Sequence, residues 1–445
     1  MPDNEPEAGR GDFARIAGAA LPLYLTMITA SAAALVDTAV LGHQGAAELA
    51  AFAVTMAVFG PVSAVVSGVL RGLMPIVAEH AEDPDALLPV VRNGLWVALT
   101  VGGAGAGAVA AVPLLGRLGG VPDGTLDRLG SFPCLLAGSV LVTAIGASAG
   151  SVLIGLGRGR AVMRAGLYGT GTAVVLSLLL VRGQGPVPSL GLPGAGLAML
   201  ASGVIGAAVG WTALRRAIVS AGRRLRPGRP DPREMARCAR IGLPLAGTVL
   251  IKFAVLGALS FAAARIDTTS AAVHSVCVSL VNVLFTVAVA VGQASVPLVV
   301  GHAANRDTMA TRRVVRHGAG VALCAVAILA AVLVAFHTPI VSIFTDDERL
   351  RSGVVGQLPV LLVVVVADAL QAVYGFGLIG LQRTMPSFWA FACCYGLLVA
   401  AAVPLAVAGG LGALWSALAC ANLVLLLAQA ASFHRFSGTP AGART

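Results

Sequence analysis

The feature of this chain that most limits its fold is a succession of twelve apolar segments, each long enough to cross a lipid bilayer. About 20 apolar residues in a helix span the hydrocarbon core, which is ~30 Å thick. The composition, 57% hydrophobic and 11% charged, excludes a soluble globular protein. The segments are 14–41, 49–79, 88–115, 130–156, 161–181, 193–214, 241–264, 270–300, 317–337, 354–380, 386–408 and 411–433. We therefore predict an all-α membrane protein with twelve transmembrane helices.

Basic residues are shared unequally between the loops on the two sides. If the N-terminus is cytoplasmic, 22 of the 29 arginines fall in cytoplasmic loops or tails and 6 in outer loops. Lysine and arginine in short loops stay on the cytoplasmic side. We expect a multi-pass protein of the bacterial cytoplasmic (inner) membrane with both termini cytoplasmic, and no cleaved signal peptide. The net charge of +10 then faces anionic lipid and gives no reason to expect nucleic-acid binding.

The two halves of the chain repeat one another. At an offset of 222 residues Leu21-Pro22 matches Leu243-Pro244, and His80-Ala81 matches His302-Ala303. Each copy holds six segments, so both enter the membrane in the same direction and are related by a pseudo-two-fold axis along the membrane normal. The predicted parts are an N-lobe (1–214), a cytoplasmic Arg/Pro-rich linker (215–240), a C-lobe (241–434) and a cytoplasmic tail (435–445).

The first segment of each half contains one proline well inside it, Pro22 in the first half and Pro244 in the second. Proline removes a backbone hydrogen bond and bends a helix. We predict a helix bend at each position, which is either fixed by packing or a moving hinge.

Three charged residues lie inside apolar segments. Eighteen of the twenty acidic residues fall in tails, loops or segment ends, and the exceptions are Asp37 and Asp368; Lys252 is the only lysine of the chain. A charge at the bilayer centre costs about 2.5–3.5 kcal/mol on insertion scales. We predict that these three residues couple transport to a proton or cation, with Asp37 as the main proton carrier and Lys252 paired with Asp368. The alternatives are buried structural carboxylates and a lysine that reaches the membrane interface.

All three charges break the internal repeat. At the offset of 222 residues Ala30 stands opposite Lys252 and Leu259 opposite Asp37. Towards the end of each half the offset grows to 225, as in the match of residues 153–156 with 378–381, and Thr143 then stands opposite Asp368. Residues that the shared scaffold needs tend to obey a repeat. The three departures therefore favour a site over a scaffold role.

Four further polar residues are candidates for a substrate cleft. Gln371 and Tyr374 share a helical stripe with Asp368, and Asn282 and His274 lie in the eighth segment. Ordinary packing would also account for His274. We predict no metal site, no cofactor and no catalytic residue, because the seven cysteines form no C-x-x-C pair and no Walker A loop occurs.

Four stretches of the chain have a recognisable pattern: Leu35-Val-Asp-Thr-Ala-Val-Leu-Gly-His43 and residues 68–80 in the first half, and residues 242–244 and 292–302 in the second half. They resemble the multidrug and toxic compound extrusion (MATE) family, over essentially the whole chain, and the first two are similar to its DNA-damage-inducible branch. The resemblance implies twelve helices in two lobes. It also implies alternating access and export of amphipathic, often cationic, compounds driven by H+ or Na+.

The resemblance also implies roles for particular residues. Pro22 and Asp37 fall where family members have a first-helix bend and a proton-responsive aspartate, and Asp368 falls at the C-lobe cation-site aspartate. Two departures matter. Residues 173–181 of the fifth segment offer only Ser177 where relatives often have an Asn and an Asp, and Lys252 stands where the sodium-coupled branch has a glutamate.

The sequence thus predicts a secondary active exporter (antiporter) of small amphipathic, cationic compounds, driven by a proton gradient rather than by Na+, and acting as a monomer. One alternative is a flippase of a lipid or lipid-linked substrate, whose cleft should carry several cations where only Lys252 and Arg71 qualify. The other is a membrane-embedded transferase, which needs clustered catalytic groups. Only the His302–Asp307 spacing points that way, and His302 matches His80 in the repeat.

Overall fold

The fold is a succession of long helices. The computed structural model describes residues 5–42, 46–183, 189–219, 228–344 and 347–438. Within these ranges the helices are α1 Glu5–Gly42, α2 Ala46–Arg71, α3 Leu73–Glu79, α4 Pro84–Ala110, α5 Val112–Leu118, α6 Asp123–Asp127, α7 Phe132–Gly155, α8 Gly159–Arg182, α9 Gly191–Val219, α10 Pro232–Ala264, α11 Thr268–Ala304, α12 Thr308–Ala335, α13 His337–Ser342, α14 Glu348–Gly380 and α15 Met385–Ser437. Eleven helical stretches of the described chain are long and apolar enough to cross a membrane.

Helix α15 contains two spans, which brings the number to the predicted twelve. It is broken at Gly410, whose backbone (φ 65°, ψ −160°) lies in a region open essentially only to glycine. Hydrogen bonds join its two parts: the Tyr395 hydroxyl donates to Asn422 Oδ1 at 2.8 Å, and Gln429 Nε2 donates to Ser387 Oγ at 2.7 Å. Because these pairs are 27 and 42 residues apart in sequence, the chain reverses between them and forms an antiparallel hairpin.

Helices α10 and α12, like α1, begin nine residues earlier than hydropathy predicts. Helix α10 starts at Pro232 instead of residue 241, and α12 at Thr308 instead of residue 317. The added turns carry arginines, which a hydropathy window rejects although a helix continues through them outside the hydrocarbon core. The predicted linker is therefore partly helical at its end. Its middle, residues 220–227, and the tail beyond residue 438 lie outside the described residues.

The chain divides into two compact units, one of Leu25–Ala246 and one of Met1–Tyr24 with Gly247–Thr445. The divisions fall two residues after Pro22 and two residues after Pro244. Helices α1 and α10 are thus each shared by both units. The lobe limits drawn from the sequence stay a prediction.

The start of α10 is fixed to the Leu25–Ala246 unit by close backbone packing and polar contacts. A methyl group added at Gly72 would lie 2.8 Å from the backbone nitrogen of Gly242, so glycine is what permits this approach. Arg237 pairs with Glu79 at 2.7 Å. These contacts join α10 to the end of the second span.

Candidate functional site

The first candidate, Asp37, is buried in α1 with 5% of its surface exposed. Its Oδ1 accepts a hydrogen bond of 2.5 Å from the hydroxyl of Ser177 in α8. Ser177 itself is fully buried. Among the described residues no basic side chain lies within ion-pair distance of Asp37. The fifth-span serine singled out in the sequence is thus the side chain that meets this aspartate.

The second candidate is the pair Lys252–Asp368, which the structure brings together. Nζ of Lys252 lies 2.7 Å from Oδ2 and 3.0 Å from Oδ1 of Asp368. The carboxylate side chain is 2% exposed and the lysine side chain 24% exposed. The ammonium also lies 3.7 Å from the centroid of the Phe285 ring, within the range of a cation–π interaction. One buried acid and one aromatic face therefore hold the only lysine.

A pocket opens at this pair inside the same unit. Its cavity volume is about 30 Å³, within about 400 Å³ of atom-free space when the open surroundings are included. Its lining combines the ion pair with apolar walls and three polar side chains: Lys252, Asp368, Val255, Leu256, Val278, Val281, Val364, Leu418, Trp415, Asn282, Tyr395 and Asn422. The geometry suits a ligand with one charged group and an apolar body.

Two of the predicted cleft residues, Gln371 and Tyr374, make their contacts outside the pocket. Gln371 is buried and donates from Nε2 to Gln429 Oε1 at 3.0 Å, so it belongs to a hydrogen-bonded chain that continues to Ser387. Tyr374 packs against the rings of Phe433 and His434, at centroid distances of 6.0 and 6.2 Å. Neither lines the pocket, although both share a helical stripe with Asp368.

The other two cleft candidates lie at or behind the pocket. Asn282 lines it directly. His274 is 1% exposed, and its ring centroid lies 5.6 Å from that of Trp415, which is a pocket wall. Neither ring nitrogen of His274, nor Nε1 of Trp415, has a hydrogen-bond partner in the described chain.

Pro22 and Pro244 lie inside α1 and α10, at the places where the two compact units divide each helix. Their roles as bends stay a prediction.

No group of three or more His, Cys, Asp or Glu side chains in the described ranges is arranged to hold a metal ion.

Several residues of this region escaped the sequence reasoning, chiefly Phe285, Tyr395, Asn422 and Gln429. For two of these residues the sequence does carry a signal. Asn422 and Gln429 are seven residues apart in an apolar segment, which places two polar side chains on one face of the helix. Phe285 gives no such signal, because an aromatic residue in a membrane helix is ordinary.

Relatives with curated names resemble this chain over most of its length. A probable multidrug resistance protein NorM of Aromatoleum aromaticum is 27% identical over 425 residues, which cover 90% of this chain and 88% of the relative. A protein of the same name from Deinococcus radiodurans is 27% identical and covers 83% of this chain and 82% of its own. The names describe multidrug resistance proteins and no enzyme, so the transferase alternative is not favoured.

Solved structures share the fold. An outward-facing multidrug resistance MATE family transporter of the MOP superfamily superimposes with a TM-score of 0.85 at 17% identity, covering 97% of each chain. A MOP superfamily transporter from Pyrococcus furiosus, described as having a binding pocket of reverse polarity, gives a TM-score of 0.85 at 17% identity and covers 96% of each chain. The predicted fold class is confirmed.

The family assignment comes from two separate matches within the chain. The MatE family model matches residues 22–179 and again residues 244–405. The two matches start 222 residues apart, which is the offset of the internal repeat. Together they cover well over half of the sequence. This chain therefore belongs to the MatE family and is a multi-pass membrane transporter.

Proposed function

We propose that this transporter is a proton-driven antiporter that exports small amphipathic, cationic compounds by alternating access. The observation that carries the proposal is a difference between the two buried acids. Asp368 is held by the ammonium of Lys252, whereas Asp37 meets a serine hydroxyl and no basic group in the described chain. Asp37 is therefore the acid that is free to exchange a proton.

The contact with Ser177 suits proton exchange. A hydroxyl donates one hydrogen bond and also accepts, whereas an ionised carboxylate only accepts and a protonated one also donates. The same pair of oxygens can therefore stay hydrogen-bonded in both protonation states by exchanging donor and acceptor. A buried polar group that keeps a partner avoids the desolvation penalty of an unpaired one. Ser177 thus supports a cycle in which Asp37 changes charge.

The pair in the other unit argues against sodium coupling. A sodium ion needs an available carboxylate oxygen, and both oxygens of Asp368 already accept hydrogen bonds from Lys252. A bound ammonium and a bound metal cation compete for the same negative charge. We therefore assign the driving gradient to protons.

The substrate class follows from the pocket and from the relatives. The pocket walls are mostly aliphatic, with Trp415 as an aromatic wall and Asp368 as the buried negative charge. An amphipathic cation matches this lining if its charged group takes the place of the Lys252 ammonium on the carboxylate and its apolar body contacts the walls. The multidrug resistance names of the relatives support a broad range of such compounds. The pocket lies within one chain, which suits a transporter that acts as a monomer.

The orientation belongs to the same proposal. Both termini and the linker 215–240 face the cytoplasm of a bacterium, because most arginines lie on that side. In spheroplasts, a cysteine introduced at residue 222 should resist a membrane-impermeant maleimide until the membrane is opened. Labelling from outside would reverse the orientation. The background to subtract is the labelling of the wild type, whose Cys134, Cys324, Cys393 and Cys420 are exposed.

The deciding experiment is efflux of ethidium, a fluorescent organic cation, from proteoliposomes with imposed gradients. A pH gradient should drive efflux by the wild type, and a sodium gradient at equal pH should not. Asp37→Asn keeps the shape of the protonated acid but has no proton to lose, so pH-driven efflux should stop while the protein still folds. Glu82→Gln, which neutralises an exposed loop acid, is the matched control and should behave as the wild type. Sodium-driven efflux in the wild type, or unchanged efflux in Asp37→Asn, would contradict the proposal.

A further inference from the structure

The side chain of Lys252 is itself a primary alkylammonium group bound in a pocket. Its nitrogen meets both oxygens of the Asp368 carboxylate and the face of Phe285. The pocket that the lysine lines also has apolar residues in its wall, Val255 and Leu256 among them. A carboxylate, an aromatic face and apolar walls are together the features that recognise an organic ammonium. A hard metal ion would instead require several converging oxygen ligands.

The ion pair is not required by the helix packing that the two halves share. At the matching positions of the first half stand Ala30 and Thr143, which form no such pair. The pocket also extends past the lysine, to the side chains of Asn282, Asn422 and Trp415. With 24% of its surface exposed, the lysine side chain borders open space. The free space beside the lysine is only about 30 Å³, so an ammonium ligand needs the place that the lysine itself occupies.

We propose that the pocket at Asp368 is a binding site for a primary alkylammonium group and that Lys252 is its tethered occupant. A ligand with an ammonium head and an apolar body binds there by taking the place of the lysine on Asp368 and Phe285. The binding site stands independently of the proposed function. That the ligand is a transported substrate rests on that function.

Tethering sets how strongly the lysine competes. A group held on a short side chain next to its partner has an effective concentration far above that of a free ligand in solution, and the gain from such linkage reaches about 10²–10⁴-fold. Free alkylammonium should therefore bind the wild type weakly. Lys252→Ala removes the competitor, leaves Asp368 in place and opens a space that matches n-propylammonium, which has the atoms that the substitution deletes.

The test is thermal unfolding of the purified full-length protein in detergent, with n-propylammonium chloride against sodium chloride at equal ionic strength. A ligand that binds only the folded state raises the melting temperature in proportion to the logarithm of its concentration. Lys252→Ala should be stabilised by propylammonium at concentrations about 10²-fold lower than the wild type needs. Propan-1-ol, which has the same apolar body without the charge, should have no such effect.

Two further variants locate the effect. Lys252→Ala/Asp368→Asn keeps the space and loses the carboxylate, so its response to propylammonium should vanish. Lys252→Met keeps the carboxylate and fills the space, so it should respond no more than the wild type. If Lys252→Ala does not fold alone, it is expressed and purified in propylammonium, and its unfolding when the ligand is dialysed away gives the same information.

The inference is overturned if sodium stabilises Lys252→Ala as well as propylammonium does, because the site would then prefer a metal ion. It is also overturned if the double variant still responds, or if Lys252→Ala neither responds to propylammonium nor folds in its presence. None of these outcomes depends on transport. Failure of the proposed binding site can therefore be distinguished from failure of the proposed proton coupling, which is tested by efflux in Asp37→Asn.

Discussion

The ion pair between Lys252 and Asp368 should show strong energetic coupling in a double-mutant cycle. Lys252→Met leaves a carboxylate that is only 2% exposed without its counter-charge. Removing one partner of a buried pair costs about 3–5 kcal/mol. We expect Lys252→Met to lower the free energy of unfolding by about 3–5 kcal/mol.

Substitution of the other member of the pair, Asp368, should lower the free energy of unfolding by less. After Asp368→Asn the ammonium is 24% exposed and keeps the Phe285 ring, a contact worth about 0.5–2 kcal/mol. We expect a loss of about 1–2 kcal/mol, close to that of one buried hydrogen bond to a charged group. The double variant leaves no unpaired charge, and replacement of both members of a buried pair is often close to neutral.

The measurement is equilibrium unfolding of the four proteins in mixed micelles with increasing dodecyl sulfate, followed by circular dichroism. The coupling free energy should be about 3 kcal/mol or more, with the lysine variant the less stable of the two single variants. Additive losses, within about 0.5 kcal/mol, would show that the two groups do not stabilise one another. A greater loss in Asp368→Asn than in Lys252→Met would refute the argument from exposure.

Three further outcomes follow from the structure. Ser177→Ala removes the one hydroxyl that meets Asp37, so pH-driven efflux should persist with an altered pH profile, measured as the initial rate of ethidium efflux from pH 5.5 to 8.5; an unchanged profile would exclude Ser177 from the proton site. Gly72→Ala places a methyl group against the backbone of α10 and should lower the melting temperature, whereas Gly103→Ala, with nothing within 4 Å, should not; equal melting temperatures would contradict the packing described. The backbone hydrogen bond from Ser270 at the start of α11 holds the pKa of Asp267 below its ordinary value. The carboxylate therefore stabilises the fold at a pH above the ordinary pKa, and this stabilisation is lost as the pH falls through the lowered pKa. The difference in melting temperature between the wild type and Asp267→Ala should shrink on acidification, and a constant difference would refute this.

The sequence was most informative where membrane physics leaves few choices. Twelve spans and an internal repeat were predictable, because a bilayer fixes the length of each apolar segment and the repeat fixes their order. The meeting of Lys252 with Asp368 was also predictable, because a lone cation and a lone anion inside one lobe have few other partners.

Side-chain surroundings were harder to predict. A stripe shows which residues share a helix face but not which helix packs against it. Gln371 lies in the same stripe as Asp368 and yet bonds to Gln429. Asn422, which belongs to the same predicted segment as Gln429, lines the pocket. Phe285 could be placed over the ammonium only after the helices were assembled.

The glycine at position 410 lets one continuous helical stretch supply two membrane spans. Without a reversal there, the 53 residues of α15 would form a rod of about 80 Å, more than twice the hydrocarbon thickness of ~30 Å. Such a rod is too long to cross the bilayer as one span. The reversal at Gly410 instead divides the stretch into two spans, through a backbone conformation that essentially only glycine adopts. A residue with a side chain at this position would strain the connection between the two spans.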